Sequence, residues 1–147
     1  MQAAHAVRLA VRVFVDPRTA RNLATGPMPT QVVEVLQLAA GVPEKLAEWS
    51  RTLNLPPAQL VDIAVYFIEH VMMPPAASHY RVLGVEPDAS APRIQAHYRW
   101  LLRALHVDRP TAGWQLVMAE RVNEAYAALS DPTRRAAYDS SLGLPVR

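Results

Sequence analysis

The chain has 147 residues, of which 51% are hydrophobic and 19% charged, and its formal net charge is +2. That apolar content excludes a disordered chain, and the length allows one ordinary domain or two small ones that lean on each other. Charge is spread evenly, six bases against six acids over residues 1–77 and eight arginines against seven acids over residues 78–143, so no basic stripe marks a nucleic-acid binder.

Val7, Leu9, Val11, Val13 and Val15 alternate in a way that suits a strand, but nothing nearby offers a pairing partner. The stretch is therefore read as a helix with Arg8 and Arg12 on one face. Its lack of acids before Asp16 also resembles a transit peptide, and the amphipathic helix is preferred. Asp16-Pro17 pairs a capping residue with a proline suited to the first helical turn, opening a short helix towards Ala24. After a break at Gly26 to Pro29, Thr30 can cap a helix to about Ala40, with Val32, Val35 and Leu36 on its apolar face. Gly41 stops that helix. Pro43 opens the next, which runs to about Leu53 and is expected to bury Leu46, Trp49 and Leu53. Pro57 starts the longest N-terminal helix, to about Met72, with Leu60, Ile63, Ala64, Phe67, Ile68 and Val71 at helical spacing. Asp62, Glu69 and His70 interrupt its apolar run, which is too short and too charged to span a bilayer.

Pro74-Pro75-Ala76-Ala77 is a segment that no helix can cross. It divides the chain into an N-terminal helical domain (1–73), a proline-rich linker (74–77) and a second module (78–143). In that module a short helical turn begins at Ser78 and ends at Gly84. Ser90 caps a helix from about Ala91 to Leu105, with Ile94, Tyr98, Leu101 and Leu105 on a buried stripe and Gln95, Arg99 and Arg103 on a polar one. A loop from His106 to Gly113 leads to a helix from about Trp114 to Leu129, whose Leu116, Ala119, Val122, Tyr126 and Leu129 are expected to face inward. Ser130-Asp131-Pro132 ends it, and a short last helix runs from Thr133 to Asp139. The expected fold is all-α.

There is no cysteine, which excludes disulfides and thiolate chemistry and fits a reducing, cytoplasmic setting. His5, His70, His79, His97 and His106 lie too far apart for metal-ligand spacing. No nucleophile–base pair or phosphate loop is present either, so no enzyme, metal or cofactor is expected. Glu124 and Asp131 read as a solvated residue and a helix-ending turn. Asn123 reads as a structural hydrogen bonder, and Asp139 as a surface ion-pair partner of Arg134 and Arg135.

Residues 78–142 resemble a J domain, the Hsp70-binding module of the DnaJ family. The resemblance rests on Tyr80-Arg81-Val82-Leu83-Gly84-Val85, Ala89-Ser90, Ile94 and Tyr98-Arg99. It continues through Val122-Asn123-Glu124-Ala125-Tyr126, Leu129-Ser130-Asp131-Pro132 and Arg134-Arg135-Ala136-Ala137-Tyr138-Asp139. It implies a hairpin of two long antiparallel helices crossed by a short one. It also implies an Hsp70-binding surface made by the loop tripeptide and the basic face of the helix before it. Here those residues are His106, Val107 and Asp108 in the loop, with Arg99 and Arg103 on the helix. Hsp70 is the implied partner, and residues 1–73 would hold a client or assembly protein; neither nucleic acid nor a membrane span is expected.

Three departures bear on that expectation. Val107 stands where the family has proline; valine restores an N–H and releases the backbone constraint that ends the helix and shapes the loop. Arg99 is followed by Trp100, Leu101 and Leu102, which thins the basic face. Ala119 stands where the family places a phenylalanine, a truncation that needs Leu116, Met118 or Trp114 to refill it. The alternative is accordingly a J-like protein that binds or regulates Hsp70 or another J protein without stimulating ATP hydrolysis, or a pure assembly module. At residue level, His106 reads as a recognition group or a helix C-cap, the two arginines as a docking face or a solvated one, and Trp100 as an anchor or a packing residue.

Overall fold

The computed structural model describes residues 5–106 and 114–144; the Trp114 side chain is outside that description. It is all-α: among the described residues the only β contact is an isolated bridge between His5 and Thr30. The helices are α1 (Ala6–Val15), α2 (Arg18–Thr25), α3 (Val32–Ala39), α4 (Pro43–Leu53) and α5 (Pro57–Phe67), the last continuing through a π-helical turn, Ile68–Met72. After residues 74–78 come α6 (His79–Val82), α7 (Ala91–Leu105), α8 (Trp114–Leu129) and α9 (Pro132–Ser141).

Local chemistry places the ends. The His5 ring accepts from the Val7 N–H and caps α1, Ser78 caps α6, Ser90 caps α7 and Asp131 caps α9, each through a side-chain acceptor on an otherwise unpaired N–H. Prolines in the first turns of α4, α5, α7 and α9 lose nothing, because their missing N–H would have had no partner. At α3 the residue before the helix is Gln31 in the left-handed region (φ 61°), not a capping Thr30, and the Thr30 carbonyl instead accepts the Ala6 N–H.

Helix α5 is the axis of the N-terminal half. It packs on α1, α3 and α4, and Leu60, Ala64 and Phe67 share one buried core with Val7, Val13, Val35 and Leu36. Helix α4 contributes Trp49 in full, while Leu46 and Leu53 are only partly buried. One carboxylate ties three of these segments together. Glu34 on α3 accepts from Trp49 Nε1 (3.1 Å) and Lys45 Nζ (3.2 Å) on α4, and its other oxygen meets His5 Nε2 (2.8 Å) at the start of α1. Burial pushes the Glu34 carboxyl up, but these bonds to its charged form prevail and hold it below the usual carboxylate value.

The hydrophobic core runs on without a break into residues 80–129. Helix α7 lies between α3 on one flank and α8 on the other. Gly84 sits at the junction with φ 72°; a Cβ there would come within 2.8 Å of Val32 Cγ1 and 2.9 Å of Met72 Cε. Only glycine suits both that backbone and that approach. Two arginines add polar ties. Arg81 donates to the carbonyls of Val71 (2.8 Å), Gly26 (2.7 Å) and Leu23, at the ends of the π-helical turn and of α2. Arg121 of α8 donates to those of Met73 and Pro74 (2.9 Å). Both supply donors to carbonyls that lie at or beyond helix ends and lack onward helical partners.

Candidate functional site

The hairpin is built from α7 and α8. Tyr98 and Tyr126 stack across it at 3.9 Å with planes 3° apart, and the Tyr98 hydroxyl donates to Asn123 Oδ1 at 2.7 Å, the structural bond expected of that asparagine. Helix α9 closes the base. The buried Tyr80 hydroxyl donates to Asp139 Oδ1 and receives Arg135 Nε at 3.0 Å, while Arg135 also reaches the carbonyls of Pro87 and Ala89. Asp139 is 5% exposed, so it is not the surface group that its neighbours in sequence suggest; it belongs to the closure of the module. Burial pushes the Tyr80 hydroxyl up in pKa, and its bond to Asp139 adds to that. The Tyr138 hydroxyl accepts the His79 N–H at 2.8 Å, fastening α9 to the start of α6.

Against this frame, Arg99, Arg103 and His106 stand at i, i+4 and i+7 and share the exposed face of α7. The flanks of α7 bury Ile94, His97, Leu101, Ala104 and Leu105, so Arg99, Arg103 and His106 point away from both α3 and α8. The helix carries Arg93, Arg99 and Arg103 and no acid, which leaves this face positive. His106 is the C-cap residue: its N–H bonds the Leu102 carbonyl (3.1 Å), and its side chain is exposed rather than covered by the N-terminal helices. Val107 and Asp108, the other two expected loop residues, lie outside the described residues. Trp100 is partly buried against the core with the Arg103 guanidinium 4.7 Å over its ring, which orients that arginine on the rim of the face.

One inward assignment on α8, Leu116, comes out differently. Leu116 is 72% exposed and Val117 56%, so the apolar stripe begins at Met118 and Ala119 rather than a turn earlier. Met118 and Ala119 are both partly buried against the core, whereas Leu116, also expected to refill the space left by the small residue, is exposed. Sequence periodicity also missed His97. It is buried, its Nδ1 lies 2.8 Å from the Leu83 carbonyl, and burial lowers its pKa against the opposing effect of that bond. A histidine on the apolar side of an amphipathic helix was the available signal.

A helical hairpin of α7 and α8, with α6 packed on α8 and α9 closing the base, makes a compact helical module with one arginine-bearing outer face. The DnaJ domain family model matches residues 78–139, and the chain contains a J domain. Similar curated proteins include the chaperone protein DnaJ of Latilactobacillus sakei, 48% identical over 61 residues that make up 42% of this chain and 16% of that protein. The DnaJ of Dictyoglomus thermophilum is 39% identical over 67 residues, 46% of this chain and 17% of that one. The DnaJ of Listeria monocytogenes serotype 4b is 43% identical over 61 residues, 42% and 16%. The matched segment is thus about a sixth of those relatives' length. No solved structure matches the chain. Among the described residues, no helix is long and apolar enough to cross a membrane.

Proposed function

We propose that the chain is a co-chaperone: its J domain binds a DnaK-type Hsp70 and stimulates its ATPase, while residues 1–73 hold a client or assembly partner, joined through residues 74–77. The observation that carries this reading is the acid-free outer face of α7, where Arg99, Arg103 and His106 align within the matched segment. Such a face complements an acidic surface and steers its approach. It would act by binding one conformational state of Hsp70 better than another, with no covalent chemistry of its own and no cofactor. On this reading the protein works in the cytoplasm and needs neither nucleic acid nor a bilayer.

The test is the steady-state ATPase of a DnaK-type Hsp70 with and without the full chain. Stimulation that disappears in His106→Gln and Asp108→Asn supports the proposal; no stimulation at large excess removes it. Arg99→Glu with Arg103→Glu should weaken Hsp70 binding at least about tenfold, roughly 1.4 kcal/mol.

Val107 favours a second reading, a J-like regulator that binds Hsp70 without accelerating hydrolysis. Val107→Pro discriminates. A gain of stimulation over an inactive wild type supports the regulator; a fully active wild type eliminates it. If the His106 and Asp108 variants leave every partner interaction intact and Hsp70 is never recovered, the assembly-module reading takes over.

A further inference from the structure

Outside the J domain, the feature with most recognition chemistry is a cleft of about 330 Å³ in the N-terminal half. Arg18, Ala20, Arg21 and Ala24 of α2 form one wall, and Tyr66 of α5 and His70 of the π-helical turn form the other, with Pro17 and Pro74 at the ends. The aromatic wall is built rather than incidental. Tyr66 and His70 pack at 4.1 Å with their planes tilted by 34°, and Phe14 meets Tyr66 edge-on at 5.6 Å, which fixes the tyrosine plane. His70 lies in the π-helical turn that ends α5.

The opposite wall is cationic. Arg18 is partly neutralised by Asp16, with Nε to Oδ1 at 3.1 Å. Arg21 is exposed and has no ion pair or hydrogen bond among the described residues. Both walls are pinned from the J-domain side. Arg81 holds the carbonyls of Leu23, Gly26 and Val71, and Arg121 holds that of Pro74. The cleft is therefore preformed, which lowers the ordering cost of filling it.

We propose that this cleft binds an acidic peptide segment bearing an aromatic side chain, with a carboxylate against Arg21 and Arg18 and the ring on Tyr66 and His70. The volume lies at the small end of the range for ligand pockets, about 300–1,000 Å³, and suits one or two side chains better than a whole nucleotide. Charge complementarity selects carboxylate over ammonium, and the aromatic wall selects a ring over an aliphatic chain. The inference rests on the reading of residues 1–73 as the partner-binding part and gives that partner a chemistry.

The experiment is fluorescence anisotropy of the full chain with a fluorescein-labelled peptide of glutamates around one tyrosine. Binding is expected to fall at least tenfold in Arg21→Glu, when glutamine replaces the glutamates, and when alanine replaces the tyrosine. Arg21 is exposed, so its variant should keep the wild-type circular dichroism. The changes in the peptide probe the stacking wall without touching the protein's core. Equal binding of the glutamine or alanine peptide overturns the proposal, as does an Arg21→Glu variant that binds like wild type. Tighter binding of single-stranded DNA or of phosphatidylserine vesicles than of the peptide also overturns it. No Hsp70 is present in the assay. Failure of peptide binding beside intact ATPase stimulation would sink this site alone, whereas absent stimulation beside intact peptide binding would sink only the co-chaperone reading.

Discussion

Replacing Arg81 by alanine removes one guanidinium that serves three carbonyls, those of Leu23, Gly26 and Val71. A hydrogen bond from a charged donor contributes about 1.5–3 kcal/mol, and a buried carbonyl left unpaired costs about 1–3 kcal/mol. Two effects reduce the sum. Arg81 is only partly buried, so water reaches some of the released acceptors; and its guanidinium is itself costly to bury, as its depressed pKa reflects. A net loss of about 3 kcal/mol follows, which for a chain of this length is a fall in Tm of roughly 6–12 °C. Because the lost bonds join α6 to α2 and the π-helical turn, the two halves should still unfold together, from a lower midpoint. Urea titration followed by both tryptophan fluorescence and far-ultraviolet circular dichroism is the appropriate assay. Arg81→Lys keeps the charge but not the fork of donors and should recover less than half of the loss. A change under about 0.5 kcal/mol, the level of an ordinary surface substitution, would show that these bonds do not hold the halves together.

Four further expectations can be checked on the same material. Gly84→Ala forces a side chain into the left-handed region and against Val32, and should cost about 2–4 kcal/mol by chemical denaturation; a neutral result would mean that α3 and the loop after α6 separate freely. Because burial depresses the His97 pKa, its contribution to stability is full above the unfolded value of about 6.5 and is lost as pH falls through the folded value. The wild-type urea midpoint should therefore drop more than that of His97→Leu between neutral pH and mild acid, and parallel profiles would contradict the assignment. Because the Tyr80 pKa is raised, the folded state should lose stability as pH climbs past the ordinary tyrosine value of about 10, and Tyr80→Phe should flatten that decline; an unchanged alkaline profile argues against it. Trp49→Phe removes a donor from Glu34 and should cost about 1–3 kcal/mol in thermal unfolding, unless the carboxylate finds another partner, in which case no shift appears.

The helices were legible because their boundaries are local. Ser90 and Asp131 are good N-caps, and Pro57 and Pro74 can only begin or end a helix; neighbours a few residues away are enough to place them. The cationic face of α7 was legible for the same reason, since Arg99, Arg103 and His106 are one helical period apart. What could not be read depends on distant partners. Arg81 looked like one member of a family motif, yet its acceptors lie ten to nearly sixty residues back along the chain. Asp139 looked solvated beside two arginines, but Tyr80 arrives from 59 residues away to bury it. Leu116 shares the period of the buried stripe of α8, and whether anything covers it is set by neighbouring elements that periodicity does not locate. The π-helical turn leaves the apolar spacing of Ile68 and Val71 intact, so no pattern in the sequence announces it.

Glu34 has a consequence for how the N-terminal bundle can come apart. The start of α1, all of α3 and the middle of α4 converge on two oxygens of a single side chain. If α1 peels away, the carboxylate loses its imidazole; if α4 leaves, it loses an ammonium and an indole together. Piecemeal loss of either helix therefore removes part of what holds this charge, which favours the three helices departing as a set.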